Sequence, residues 1–471
     1  MHLPAWATEI LLLAGLLALV GVLVKRLPKV DMGHSPAFMQ RRVMNWLPVG
    51  LTYAMLYMGR YNINATIGPL FTKKEYSDIY GVGALVYGLS FILNGPITDK
   101  LGGRKTIILS AVGACAANLG LGLAVGAHQG PGKDLVFAAT VLYAVNMYFQ
   151  SFGAVAIVKV NSAWFHLKER GTFGGIFGIL IALGLYFAYD LAPMIGSKFG
   201  LSWGFYVPAM LLAIFAVLDA SLVRDTPGEA GHADFALGDA TADGPKLSPF
   251  AIATTMLKNP AIITIIAIEF CSGYLRNGIM QYYKPFAHEL GRKSDFVLAH
   301  WGLLNCMAGI SGSVVAGVIS DRVFGSRRGP VAAVLYGVMT LGCLLMFPTL
   351  HLSLVGPVVV LMTLAIIGVH GMLSGTASMD FGGSKNTGIA VGIIDGFVYF
   401  GTASVAFVMG RVLPKDAAAH DAGNWWVWPA ALLPVSLIGL LLSARIWNAR
   451  PKSGAPVANP PPDPAPSVAS A

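Results

Sequence analysis

Long apolar runs alternate with short polar connectors along nearly the whole chain. Blocks near 45–70, 79–98, 106–127, 134–163, 171–197 and 202–223 are each close to the length, roughly 20 residues, that carries a helix across a bilayer. Residues 224–258 break the rhythm with Asp225, Glu229, Asp234, Asp239 and Asp243 among glycines and prolines, the make-up of a solvated linker. Six more blocks follow near 259–288, 298–319, 329–350, 353–379, 387–412 and 424–446. One further apolar block, from Trp6 to about Val24, precedes the first set. It lacks a basic leading region and a convincing small-residue cleavage site, so a retained helix is expected rather than a cleaved signal. From Pro451 the tail holds seven prolines and is expected to stay disordered. The pattern predicts an all-α polytopic membrane protein with twelve core helices and one extra helix. Residues 1–44 form the extra N-terminal helix and its connector, 45–223 a six-helix half, 224–258 the linker, 259–446 a second six-helix half, and 447–471 the tail.

Composition narrows the class. Of 471 residues, 55% are hydrophobic and 12% charged, about half the charge of a soluble protein, which excludes an ordinary soluble globule or a disordered chain. The net charge of +9 follows topology rather than nucleic-acid binding. Connectors at 25–44, 99–105, 164–170, 224–258, 320–328 and 380–386, with the tail and Arg445 just before it, carry twenty of the 32 Lys and Arg; the opposite loops, with Lys284 and Arg411 at their edges, carry nine. Basic residues stay on the cytoplasmic side, so the N-terminus is expected outside and the C-terminus inside, across an inner (plasma) membrane. Cys115, Cys271, Cys306 and Cys343 fall in apolar blocks without metal-ligand spacing and read as packing residues, and no cofactor or metal is expected. No phosphate-binding loop G-x-x-x-x-G-K-[ST] and no converging nucleophile, base and orienting group point to an enzyme.

Two connectors repeat a pattern. Gly95-Pro-Ile-Thr-Asp99-Lys100-Leu-Gly-Gly-Arg104 and Gly317-Val-Ile-Ser-Asp321-Arg322-Val-Phe-Gly-Ser-Arg327 stand 222 residues apart, each after the second span of a half. Glycine permits close helix approach. An aspartate at a helix end can accept from backbone amides of a neighbouring helix and pair with basic residues, giving a latch that forms and breaks as the halves rock. Twelve spans with this loop in both halves resemble the major facilitator superfamily. Lys168-Glu169-Arg170-Gly171, Arg224-Asp225-Thr226-Pro227, Tyr57-Met-Gly-Arg60-Tyr-Asn62 and Tyr274-Leu-Arg276-Asn-Gly278 are similar to motifs of its organophosphate:phosphate antiporter family. The resemblance covers roughly residues 45–446. It implies transport of a small phosphorylated organic anion by alternating access, in exchange for inorganic phosphate, with a monomer sufficient.

An ionisable side chain in mid-membrane is costly and marks a functional candidate. Arg60 and Arg276, 216 residues apart, occupy matching places in the two halves, where pseudo-symmetry sets them facing across a central cavity. Two guanidinium groups there suit a phosphate or carboxylate. Tyr53 and Tyr57, seven and three residues before Arg60, share its helix face. Asn64 lies one turn beyond it, and Tyr274 and Asn277 flank Arg276. The resemblance implies phosphate binding by Arg60 and Arg276, with Tyr53, Tyr57, Tyr399, Gln150 and Lys159 nearby. It also marks departures: Phe91 stands where the family has a lysine, and Ala163 where it has a histidine, with His166 too far along to replace it.

The pocket instead gains acids. Glu269, two turns before Arg276, and Asp395 are candidates for proton coupling. Asp190 lies nearer the outer end of its span. His370 titrates near neutral pH, but a lone helical histidine is expected to pack or hydrogen-bond. Two rivals therefore stay open: a proton-coupled symporter of carboxylates or other organic anions, and a transporter-like sensor of organophosphates.

Overall fold

The computed structural model describes residues 11, 14–19, 21–22, 32–128, 130, 132–166, 169–235, 249–292, 295–324 and 327–448; at 170–175, 249–250, 252, 318, 321, 374–388 and 390–391 only the backbone is described. The expected extra first helix, the proline tail and the middle of the linker fall largely outside these residues. Positions 11, 14–19 and 21–22 are helical.

The first half comprises α1 (Pro36–Tyr61), α2 (Lys73–Leu101), α3 (Gly103–Ala127), α4 (Lys133–Ser162), α5 (Arg170–Tyr186) with α6 (Ala192–Phe199), and α7 (Trp203–Leu222). After a short α8 (Pro249–Lys258) come α9 (Pro260–Met280), α10 (Tyr283–Glu289), α11 (Trp301–Val323), α12 (Arg328–Thr349), α13 (Val355–Val412) and α14 (Val427–Arg445). Local chemistry starts them as expected. Ser35 accepts from the Phe38 amide ahead of Pro36, and Thr72 and Glu75 form a reciprocal capping box. Gly102, at φ +86°, turns α2 sharply into α3, a conformation that favours glycine. A π-helical turn, Phe187–Leu191, joins α5 to α6.

Ten helices among the described residues are long and apolar enough to cross a membrane, and Trp301–Gly317 is a shorter apolar one. The expected connector 380–386 is instead helical backbone inside α13, which holds two apolar stretches, Val355–Leu373 and Gly392–Val412. The pattern is inverted relative to a soluble bundle. On α2, Leu85, Leu89 and Leu93 form an outward stripe, 40–64% exposed, while Tyr76, Tyr80, Tyr87 and Phe91 are buried on the inward face. Burial therefore collects aromatic and polar groups at the centre and leaves aliphatic ones for lipid.

The halves meet chiefly through α2 against α13 and α5 against α11. A Cβ on Gly88 would lie 2.8 Å from the Gly396 carbonyl, so α2 and α13 touch backbone to backbone. At the end of the bundle carrying residues 62–73, here called the distal end, polar bonds tie the halves together. Gln281 on the α9–α10 turn accepts from Tyr76 Oη (2.9 Å) and Asn64 Nδ2 (3.2 Å) and donates to Tyr80 Oη (3.1 Å). Ser77 and Tyr282 share a hydroxyl bond, and Lys73 pairs with Glu289. Asp190, in the π-turn, accepts from the Gly302 and Leu303 amides at 2.8 Å each, capping α11 across the interface.

Candidate functional site

Arg60 sits in the last turn of α1, fully buried. Its Nε donates to Gln150 Oε1 of α4 (2.9 Å), one terminal nitrogen donates to Tyr87 Oη of α2 (3.0 Å), and the other to Tyr399 Oη of α13. The rings of Tyr57 and Tyr87 lie 4.6 Å from its guanidinium carbon, with Tyr399 at 5.7 Å and Tyr53 at 6.0 Å. No described carboxylate pairs with it. A cage of ring faces and hydroxyls holds the cation without neutralising it. Asn146 carries the cage inward: it accepts from Gln150 Nε2 (2.9 Å) and donates to the Gly59 carbonyl. Tyr143 donates to the carbonyl of Arg60 itself.

Arg276, on α9, is 6% exposed, and its buried Nε has no hydrogen-bond partner. Among the described residues its guanidinium makes neither a hydrogen bond nor an ion pair. It lies within electrostatic reach of Tyr57, Tyr61, Tyr80 and Tyr399, the same ring cluster that surrounds Arg60. Both arginines thus have Tyr57, Tyr61 and Tyr399 as common neighbours. Phe91, where the resembled family has lysine, packs its ring 4.9 Å from Tyr87 and 6.1 Å from Tyr399, an apolar wall to the cage.

Of the other expected residues, Tyr53, Tyr57, Tyr399 and Gln150 join Arg60. Asn64 and Asn277 serve the distal seal instead. Asn64 bonds Gln281, and Asn277 accepts from Tyr80 Oη (2.7 Å) while donating to Thr402. Tyr274 is buried and makes no hydrogen bond among the described residues. Lys159 pairs its ammonium with Asp99 at 2.8 Å, at the opposite end of the bundle from the seal. The nearest carboxylate captures it, because an ion pair is stronger where water is scarce.

In the first repeated loop the aspartate pairs with a basic residue, as expected of such a latch. Asp99 takes Lys159, and the backbone amide at the start of α3 is served by Asp225, which accepts from Arg104 N at 2.7 Å. Burial pushes the Asp225 carboxyl above its ordinary range. Gly95 is buried, whereas a Cβ on Gly317 would meet nothing within 4 Å among the described residues. Arg322 is exposed, Arg327 bonds only the Phe324 carbonyl in its own loop, and the Asp321 side chain lies outside the described residues. Glu269 is sealed and accepts or shares a proton with His370 Nδ1 at 3.0 Å, so His370 has a hydrogen-bonding role, with an acid as its partner. Asp395 lies within electrostatic reach of His370 and Tyr53.

The sequence reading missed Tyr87, Tyr80 and Gln281. Tyr76, Tyr80 and Tyr87 recur at helical spacing on one face of α2, a signal available in the sequence.

Two helical halves pack against each other with Arg60 and Arg276 buried between them, the architecture of a membrane carrier. The chain belongs to the Major Facilitator Superfamily: that family's sequence model matches residues 49–406. The glycerol-3-phosphate transporter of Bacillus subtilis (strain 168) is 25% identical over 89% of this chain and 95% of its own. The membrane sensor protein UhpC of Salmonella typhimurium is 23% identical over 86% of this chain and 91% of its own. The hexose-6-phosphate:phosphate antiporter of Escherichia coli (strain K12) is 25% identical over 85% and 88%. Among solved structures, a bacterial homologue of the human lysosomal transporter Spinster superposes with a TM-score of 0.68 at 13% identity, over 90% of this chain and all of that one. The fold is that of a multi-pass membrane transporter.

Proposed function

We propose that this protein is a secondary active carrier of a small phosphorylated organic anion, which it exchanges for inorganic phosphate as a monomer in the inner membrane. The observation that carries the reading is Arg276, a buried guanidinium with no described partner beside the caged Arg60. A buried guanidinium without hydrogen-bond acceptors is expensive, and an anion lying between the two arginines would supply the acceptors that Arg276 lacks. The relatives named as glycerol-phosphate and hexose-phosphate carriers support the choice of phosphate over carboxylate. The excess of Lys and Arg in the loops on the Asp99 side supports placing that end in the cytoplasm, with the N-terminus outside and the C-terminus inside. The Gln281 seal then closes the outer mouth.

The test uses proteoliposomes loaded with inorganic phosphate and given labelled glycerol 3-phosphate. Arg60→Lys and Arg276→Lys keep the charge but lose the fork of donors, so each is expected to lower uptake at least about tenfold while thermal unfolding stays cooperative. Uptake by both variants at the parent rate overturns the paired-arginine site. The relative named as a membrane sensor favours a second reading, an organophosphate sensor in the same fold. Saturable flux through the purified protein excludes it as the sole role.

A further inference from the structure

We infer that Glu269 and His370 form a one-proton site that controls whether Arg276 is free to hold an anion. The inference rests on the arginine-site reading above. Glu269 is 0% exposed on α9, with Oε2 3.0 Å from His370 Nδ1 and Oε1 buried without a hydrogen-bond partner. The His370 side chain, from α13, keeps 23% of its surface exposed, so the sealed acid has a partner through which a proton can enter and leave. Seven residues along α9, the same helix face presents Arg276, which interacts electrostatically with both members of the pair. The other ionisable groups facing the pair are Asp395 on α13 beside His370, Cys271 on α9, and Tyr336 on α12, whose hydroxyl donates to the Ile268 carbonyl.

The chemistry is a proton transfer with no redox change. Without the proton the pair is a carboxylate and a neutral imidazole, net −1, and it compensates Arg276. One proton from cavity water, shared along the Oε2···Nδ1 bond, makes the pair neutral and leaves the Arg276 charge for an incoming anion. Proton and anion therefore bind together, by reciprocal linkage. When the anion leaves on the other side, Arg276 regains its field at the pair and the proton returns to water there. The carrier thus moves a proton with its anion.

Two measurements test this. Phosphate affinity is read by calorimetry across pH in the parent protein, Glu269→Gln and His370→Gln, so that the titration of phosphate itself is common to all three. The parent should weaken at least about fivefold more than Glu269→Gln as pH rises, because the amide mimics the protonated acid at every pH. Parallel profiles in the parent and Glu269→Gln overturn the proposal. Infrared difference spectra of the anion-free protein give the second reading. A protonated-carboxyl band that titrates in the parent and is missing in Glu269→Gln supports the proton site even if phosphate does not bind, a result that would overturn only the arginine-site reading. Absence of that band in the parent at any pH overturns the proton site.

Discussion

Gln281→Ala should open the distal end. Gln281 makes three side-chain bonds, all to the other half: it accepts from Tyr76 and Asn64 and donates to Tyr80. Alanine removes these three and leaves one bond of the group, from Asn64 to the backbone carbonyl at 281. Each neutral bond contributes about 0.5–1.5 kcal/mol, so the closed arrangement loses about 1.5–4.5 kcal/mol. In the opened arrangement the same hydroxyls and amide face water, so the substitution costs that state little. The balance between the two then moves by roughly ten- to a thousandfold toward open. The assay is a distance distribution between spin labels at Asp134→Cys and Leu352→Cys, with Cys115, Cys271, Cys306 and Cys343 replaced by serine. A new, longer population is expected in Gln281→Ala. If the distribution matches that of the parent with and without phosphate, the bonds at Gln281 do not hold the halves together and the reasoning fails.

Further outcomes follow from other contacts. Arg42 and Glu169 form a buried ion pair at 2.8 Å, so Glu169→Gln should cost about 3–5 kcal/mol and lower the unfolding temperature, with Arg42→Met added in the same chain recovering part of the loss. A Cβ at Gly273 would lie 1.8 Å from the Val398 carbonyl, so Gly273→Ala should abolish folded, monodisperse protein, whereas Gly317→Ala, which meets open space, should leave yield and thermal stability unchanged. Lys159→Met should mimic Asp99→Asn in slowing exchange without changing phosphate affinity; a tenfold loss of affinity in Lys159→Met would instead return Lys159 to the binding site.

The membrane helices were legible because apolar blocks of spanning length leave few alternatives. Arg60 and Arg276 stood out for a related reason, since a charge inside such a block is costly. Depth along a helix can be read this way, but the neighbour across the packing cannot. Lys159 shows the difference: the family resemblance drew it toward the site, while in the last turn of α4 its ammonium meets Asp99. Asn64 and Asn277 flank the arginines in sequence and were drawn to the site by that closeness, while their amides reach across to the seal. Gln281 and Tyr87 carried no charge to flag them. The connector at 380–386, polar enough to read as a loop, is helical backbone because serine, lysine and asparagine are tolerated within a helix that other segments nucleate.

The hydroxyl of Tyr399 gives the Arg60 cage a further meaning. Arg60 belongs to the first half and Tyr399 to the second, so the central cation is itself a strap between them. On the proposed binding at Arg60, an anion that takes that nitrogen must displace the phenol, and its arrival would unfasten the two halves there. An unloaded molecule keeps the strap. On the same reading the bond would act as a brake on cycling of the empty carrier.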